Sequence, residues 1–516
     1  MQPPRIQEPM KAIYDQGAFA PCPAPFNLAA HVLAKANENA DKIALSVLSR
    51  DSSDDWTYGR LKQAVLGVGT GLLQRGYQPG DILLMRLGNT VEFPIAYLGA
   101  IAVGMVPVPT SAMLTAPEVA KMITQLSPRA VLRDPAVACP DLADLACEEV
   151  STAELDAMHG LPAAAFHMGD PERPAYLVYT SGTSGQPRAV MHAHRAIWAR
   201  QMMHQGWYGL THKDRLLHAG AFNWTFTLGT GLMDPWSVGA TALIPAADVA
   251  IEALPDLLAQ HEATLFAAAP GVYRKILQHH NTLDLPALRH GLAAGEKLSE
   301  AIRTHWAEAT GGAAIYEAYG MSECSTFISA SPDHPATDGA LGRPQQGRRL
   351  SLRNEDGAVN IGEDGEICIH RSDPGLMLGY FGAPEATADR FDGDWFKTGD
   401  HGVMRADGRI DYAGRGDDMM NAGGYRVSPL EVEAALHDMP GVTQIAVTDV
   451  EVKEDTRLII GFYTAAKTID KSKLSTCAAE RLARYKQPRD WVHLDQLPTN
   501  PNGKLSRKAL RALYRR

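Results

Sequence analysis

The stretch Gly402-Val403-Met404-Arg405-Ala406-Asp407-Gly408-Arg409-Ile410-Asp411-Tyr412 constrains the fold of this chain more than any other. Asp-Gly between two short runs is a strong β-hairpin signal, because both residues tolerate the positive φ of tight hairpin turns. Asp400 and Arg415 lie equally far from that turn, so the hairpin sets them opposite one another at its open end. Directly afterwards the character of the chain changes. Gly414, Gly416, Gly423 and Gly424 surround the acidic pair Asp417-Asp418, and glycine relaxes the limits on φ. Ser428-Pro429-Leu430-Glu431 then reads as a capping box with proline at the first helical position, opening a helix over about 429–438. Alternating runs at 442–449 and 457–464 precede a helix near 473–485 and a strand near 491–494. That is an α+β unit of about a hundred residues, a normal domain size. The expected division is an N-terminal domain over 1–414, a hinge at 415–418 and a mobile C-terminal domain over 419–516.

The length of 516 residues agrees, since one core does not grow that large. Upstream, residues 57–130 read as amphipathic helix, buried strand, helix and strand, an α/β rhythm. Strand-like runs recur at 175–179, 262–269 and 287–295, and a helix pattern at 191–206. The fold class is therefore α/β, a large N-terminal domain of several subdomains with a small α+β domain after it. Phe93 to Pro109 carries no charge but is broken by Gly99, Gly104, Pro107 and Pro109, so a buried helix running into a buried strand explains it better than a membrane span. The formal charge of −10 offers no general attraction for nucleic acid or an anionic membrane. The six cysteines form no CxxC pair, and the N-terminus has no apolar signal-peptide core, so reduced thiols and a cytoplasmic location are expected.

Chemistry concentrates in five segments. Tyr179-Thr180-Ser181-Gly182-Thr183-Ser184-Gly185-Gln186-Pro187-Arg188 puts four hydroxyls and two glycines in one loop. Such a loop offers N–H and O–H groups to phosphate oxygens, with Arg188 adding charge, although it is not a Walker A loop. The others are Tyr316-Glu317-Ala318-Tyr319-Gly320-Met321-Ser322-Glu323, Trp395-Phe396-Lys397-Thr398-Gly399-Asp400, the run from Gly414-Arg415-Gly416-Asp417-Asp418 through Asn421 and Gly424 to Arg426, and Pro498-Thr499-Asn500-Pro501-Asn502-Gly503-Lys504. Three signals are discounted. Gly67-Val68-Gly69-Thr70-Gly71 follows a helix pattern and reads as packing glycines. His192 and His194 read as solvated helix histidines, and the basic run from Arg507-Lys508 to Arg516 as a solvated tail.

In this order and with these gaps, the five segments resemble the adenylate-forming superfamily of acyl-CoA synthetases, peptide-synthetase adenylation domains and firefly luciferase. The resemblance covers nearly the whole chain. It implies that Thr180, Ser181, Gly182, Thr183, Ser184, Gly185 and Arg188 hold the ATP phosphates. It implies that Tyr319 stacks on adenine with Gly295-Glu296-Lys297 on the ring's other face, and that Glu317 and Ala318 lie near the adenine amino group. Asp400 and Arg415 would bind the ribose, a pairing the hairpin geometry supports independently. Ser322 would lie near the α-phosphate, Glu323 would bind Mg²⁺, Asp417 would be the hinge, and Lys504 would bridge the acid and the α-phosphate. Gly423, Gly424 and Arg426 would meet CoA or phosphate. Ala221-Phe222-Asn223-Trp224-Thr225 followed by Asp234-Pro235-Trp236 resembles the pattern of medium-chain and benzoate-type CoA ligases, which assigns Phe222, Asn223, Trp224 and Phe226 to the acid pocket. Gln186, Arg188 and Ala189 depart from the family's usual Lys-Pro-Lys-Gly, and arginine keeps the charge without the ammonium geometry.

The activity implied is an acid–CoA ligase that spends ATP to form an acyl-adenylate and then a thioester. Its cofactors would be ATP, Mg²⁺ and coenzyme A. The acid would be aromatic, alicyclic or short-to-medium aliphatic, since no acidic partner for an amino acid's ammonium is identifiable. The alternative is a stand-alone adenylation enzyme that loads a carrier protein. Expected partners are the acid, ATP and CoA, with no nucleic acid and no membrane, and a homodimer is left open. The chemistry requires these residue types: attack of a carboxylate on a phosphate brings two anions together, and Mg²⁺ and an ammonium offset the repulsion. If Lys504 neutralises charge only during that attack, Lys504→Ala loses adenylate formation by several orders of magnitude, one well-placed transition-state charge being worth roughly 3–5 kcal/mol. The same variant, given preformed acyl-adenylate and CoA, makes thioester at a near-normal rate. Measuring the two half-reactions separately checks this, and an equal fall in both contradicts it.

Overall fold

The computed structural model describes residues 10–180, 187–295, 297–298, 300–336, 339–415, 420–422, 425–427, 429–453, 456–498, 505 and 507–514. Ser181, Gly182, Thr183, Ser184, Gly185, Glu296, Asp417, Gly423, Gly424 and Lys504 lie outside these residues, and for Arg415 and Arg426 only the backbone is described.

The α/β rhythm of residues 57–130 is realised as helix Tyr58–Gln74, strand Ile82–Arg86, helix Glu92–Ala102, strand Val106–Pro109, helix Ala116–Leu126 and strand Ala130–Arg133. The strands join Glu148–Ser151 in a four-stranded parallel sheet. The uncharged stretch is indeed a buried helix running into a buried strand. Among the described residues no helix is long and apolar enough to cross a membrane.

The largest sheet described has nine strands. Its central members, Ile43–Leu48, Thr241–Pro245, Arg215–His218, Leu265–Ala268, His290–Ala294 and Ile315–Met321, all run parallel. Their near-continuous apolar sequences suit strands covered on both faces. An antiparallel sheet of seven strands carries the hairpin Trp395–Met404 and Ile410–Arg415. Its turn is the one read from Asp407-Gly408: Gly408 has φ of +84° and its N–H reaches Arg405 O at 2.9 Å. Asp400 pairs with Arg415 across it, brought there by a register shift between His401 and Gly402, since nearer the turn Met404 faces Ile410.

The small C-terminal domain follows the expected order: helix Pro429–Leu436, strands Gln444–Lys453 and Thr456–Thr464, helix Lys471–Arg481 and strand Asp490–His493. The molecule is thus a large N-terminal α/β domain with a smaller α+β domain after it.

Three local expectations are corrected. The hydroxyl-rich loop does not run into a helix; it joins strand Pro174–Thr180 to the antiparallel strand Arg188–Ala193. Short helical turns begin only at Ala196. His192 and His194 are therefore not solvated on a helix. They are 3% and 0% exposed, and burial lowers their pKa values to about 4 and about 3. Backbone groups from distant segments take them up: Leu28 N–H donates to His194 Nδ1 at 2.9 Å, and His192 Nε2 lies 2.7 Å from Ser322 O. The basic end is likewise no solvated tail. Residues Arg507–Leu513 form a helix whose Leu510 is buried, anchored by Arg507 on both carboxylate oxygens of Glu433 at 2.7 and 2.8 Å and by Arg511 on Asp449 at 3.1 Å.

Gly67, Gly69 and Gly71 lie on helix Tyr58–Gln74 and let it pack closely. A methyl at Gly67 would come 2.5 Å from Met158 O and 2.8 Å from His159 O, backbone atoms that cannot swing away. At Gly71 the nearest atoms it would meet belong to the flexible Met158 side chain, at 2.3 Å and beyond. Helix propensity alone favours alanine over glycine by about 1 kcal/mol, whereas overpacking costs about 1–3 kcal/mol. Gly67→Ala is expected to destabilise the N-terminal domain in denaturant titrations, and by more than Gly71→Ala. A Gly67→Ala protein as stable as the parent contradicts this packing.

Candidate active site

The parallel strands end at Ala294-Gly295 and Gly320-Met321, and beyond them opens a cavity of about 740 Å³. Ligands of parallel sheets bind at these carboxyl ends. Thr180, Arg188, Gly295, Ser322 and Glu323 line one part of it; Asn223, Trp224 and Phe226 line another. The sequence segments therefore converge although they lie up to 143 residues apart.

The phosphate-loop end is built on the base of the 174–193 hairpin, where Thr180 pairs with Arg188. The Arg188 guanidinium lies 5.1 Å from the Tyr380 ring centroid, a cation–π contact. Tyr380 donates at 2.8 Å to Glu323 Oε1, and Glu323 is 8% exposed.

The remaining nucleotide assignments cluster beside the cavity rather than on its wall. Asp400, 1% exposed, accepts hydrogen bonds of 2.8 Å from Tyr319 on one carboxylate oxygen and Tyr412 on the other. Tyr319 packs edge-on to Phe327 with centroids 5.2 Å apart. Glu317 takes Lys297 at 3.2 Å, Arg303 at 2.7 Å and the Leu298 N–H at 2.9 Å. Burial raises its pKa and the two cations oppose that. This carboxylate ties strand Ile315–Met321 to helix Glu300–Ala309. Ala318 is buried within the strand.

Of the acid-pocket assignments, Phe222 is corrected. It is fully buried, stacked on Phe93 with centroids 6.3 Å apart, and its backbone N–H donates to Asn89 Oδ1 at 2.8 Å. Its ring is core, not cavity wall. Trp224 and Phe226 stand nearly perpendicular with centroids 5.2 Å apart and form an aromatic corner. Trp236 is also core, its Nε1–H donating to Ala44 O at 2.8 Å.

Several cavity residues were not singled out from the sequence. The C-terminal domain contributes Tyr425, Tyr485 and Lys486. Tyr425 lies between Trp224 at 6.4 Å and Tyr485 at 4.2 Å, stacked on both. Lys486, 6% exposed, reaches Glu431 at 2.7 Å and Glu118 at 3.2 Å. Burial works against its charge, but Tyr485 and the two carboxylates raise its pKa overall. Glu118 serves twice, because its other oxygen caps helix Ala116–Leu126 through Thr115. The inner wall holds Tyr97, Tyr176, His192 and Arg200. Arg200 binds Asp234 through Nε at 2.8 Å and Nη2 at 2.6 Å, and Tyr208 donates to the same carboxylate at 2.8 Å. A hint of the Arg200–Asp234 region exists in the glycines of Thr227-Leu228-Gly229-Thr230-Gly231, which form a π-helical turn against it. Such turns are frequent at functional sites.

Comparison with known proteins agrees with this geometry. The AMP-binding enzyme family matches residues 32–381, and the AMP-binding enzyme C-terminal domain matches 431–504. The chain is 29% identical over 488 residues to the 3-hydroxybenzoate–CoA ligase of Aromatoleum sp. (strain CIB), covering 89% of this chain and 92% of that one. It is 30% identical to the benzoate–CoA ligase of Thauera aromatica, over 90% and 92% of the two chains. In fold it matches the o-succinylbenzoate CoA synthetase of Bacillus subtilis with a TM-score of 0.83 at 23% identity, covering 94% and 98%. A chain matched by the family over most of its length belongs to the AMP-binding enzymes of the acyl-CoA synthetase superfamily and is an AMP-forming, acid-activating ligase.

Proposed function

We propose that the protein joins an aromatic acid to coenzyme A. The observation that carries this reading is the aromatic corner of Trp224 and Phe226, closed by Tyr425, at the end of a cavity that also reaches Ser322 and Glu323. Flat apolar walls with a few polar groups suit a small planar acid. The similarity to ligases of benzoate and 3-hydroxybenzoate supports the same class.

In the first step one carboxylate oxygen attacks the α-phosphorus of ATP and pyrophosphate leaves. In the second, the CoA thiol loses its proton and its sulfur attacks the acyl carbonyl, and AMP leaves. Glu323 fits a magnesium site of the kind that uses one carboxylate plus the nucleotide's own phosphate oxygens: Tyr380 orients its Oε1, and no described residue donates to its Oε2. The ion would screen phosphate charge there. Arg188, against the Tyr380 ring, adds a positive charge to the same cavity wall. Asp417 as hinge and Lys504 as the bridging cation complete the reading on the sequence resemblance alone. Asp400, held by Tyr319 and Tyr412, would exchange tyrosine hydroxyls for ribose hydroxyls, which preserves its hydrogen bonding.

A screen of acids by pyrophosphate release, with and without CoA, tests the proposal. Benzoate-type acids should outrun hexanoate and octanoate, with little turnover of hexadecanoate or amino acids, and CoA alone should suffice as acceptor. Preference for hexadecanoate or for an amino acid contradicts the acid class. Adenylate that accumulates without passing to CoA favours a carrier protein as acceptor.

A further inference from the structure

Among the described residues, two polar groups on the inner wall of the cavity have no hydrogen-bond partner. Tyr97 is 1% exposed, and its hydroxyl has no hydrogen-bond partner among the described residues. His192 is 3% exposed, and its Nδ1 likewise has none. Both line the cavity, and Tyr176 links them: its ring lies 5.9 Å from Tyr97 and is stacked on His192 at 4.9 Å. A buried polar atom left unpaired costs about 1–3 kcal/mol, so two in one wall call for an occupant that pairs with them.

The chemistry of that occupant follows from the tautomer of His192. Its Nε2 is 2.7 Å from the Ser322 carbonyl oxygen, which can only accept, so Nε2 carries the proton. Burial lowers the imidazole pKa to about 4, so the ring is neutral at physiological pH and Nδ1 presents a lone pair. The wall therefore offers an acceptor, and, joined to it through the Tyr176 ring, a tyrosine hydroxyl that can donate or accept. Arg200 does not make the wall anionophilic, because Asp234 balances its charge bidentately. A second carboxylate on the acid would meet the Nδ1 lone pair with no free charge to offset it. A methyl or halogen would leave both groups unpaired.

We propose that Tyr97 and His192 select an acid whose ring carries a hydrogen-bond donor, a hydroxyl or an amino group, and that they are specificity-determining residues of this enzyme. The proposal rests on the aromatic-acid reading above. The substituent would donate to His192 Nδ1 and share a hydrogen bond with Tyr97 Oη, while the carboxylate end faces Ser322 and Glu323.

The test is kcat/KM for the three hydroxybenzoates, the matching aminobenzoates and the matching fluorobenzoates, in the parent, Tyr97→Phe, His192→Leu and His192→Asn proteins. A site built to bond a donor discriminates strongly against analogues that lack it. The parent should prefer at least one hydroxy or amino acid over its fluoro counterpart by about 100-fold. Tyr97→Phe and His192→Leu should shrink that ratio to within a few-fold, mostly through KM for the donor-bearing acid. His192→Asn, which keeps an acceptor near the Nδ1 position, should restore part of it. Because the Tyr97 hydroxyl has no partner among the described residues, Tyr97→Phe should not lower stability. A ratio unchanged in both Tyr97→Phe and His192→Leu overturns the proposal and leaves an enclosed water as the partner of these groups. Turnover of aromatic acids without preference for a donor overturns it while sparing the aromatic reading. No turnover of any aromatic acid overturns both.

Discussion

The cavity is organised around one buried ion pair, Arg200 with Asp234. The residues are 8% and 0% exposed, so each charge has been taken out of water. That loss is met by bidentate geometry, by Tyr208 donating to Asp234, and by Arg200 donating to Ser325 Oγ. Such a pair adds little net stability, yet removing one member costs about 3–5 kcal/mol because the other charge is stranded. Its consequence here is positional. Through Arg200 it joins the turn after strand Arg188–Ala193 to Thr230 of the π-helical turn Thr227–Met233, to Asp234 at the start of the next helix and to strand Ser325–Ser329, pieces of one cavity wall. Gly229 is part of the same constraint, since a methyl there would fall 2.3 Å from Arg200 Cζ. The aromatic corner of Trp224 and Phe226 stands on the segment that this pair holds down.

A second buried charge organises the other side of the cavity. Lys486 draws together Glu431 of its own domain and Glu118 of the large domain, and brings Tyr485 and Tyr425 to the mouth. The wall is thus shared between two bodies, and the face presented to the acid depends on where the small domain sits. Ala483 packs into a core cluster of the large domain with Leu84, Val108 and Leu177, so this docking buries apolar surface as well as charge. One small domain that changes position can serve two chemical steps at one cavity, which is why a hinge at Asp417, proposed on the sequence resemblance, would matter to the mechanism.

What was legible in the sequence divides along physical lines. The Asp400–Arg415 pairing was readable because Asp407-Gly408 marks where the hairpin turns; the equal count holds because a register shift between His401 and Gly402 offsets the one-residue difference set at Met404–Ile410. The α/β rhythm and the C-terminal element order were readable because periodicity reports which face is buried. The strand Arg188–Ala193 was missed because a hydroxyl-rich loop after a strand suggests a helix N-terminus, although Val190, His192 and Ala193 pack inward as parts of a strand. Phe222 was misplaced because an aromatic cluster in sequence does not say which ring faces a cavity; the Asn89 side chain that fixes its backbone is 133 residues away. Lys486 and Glu118 are 368 residues apart. No local pattern connects them, and neither residue is unusual in its own surroundings.

The account depends on one chemical claim, that the acid's own oxygen attacks the α-phosphorus. Label transfer tests it most directly. A benzoate-type acid that turns over, enriched with ¹⁸O in its carboxylate, is incubated with the full-length protein, ATP, Mg²⁺ and CoA, and the products are weighed by mass spectrometry. The account predicts AMP carrying one ¹⁸O on its phosphate, with unlabelled pyrophosphate and one ¹⁸O left in the thioester carbonyl. Label in pyrophosphate or inorganic phosphate, or unlabelled AMP formed alongside thioester, contradicts it.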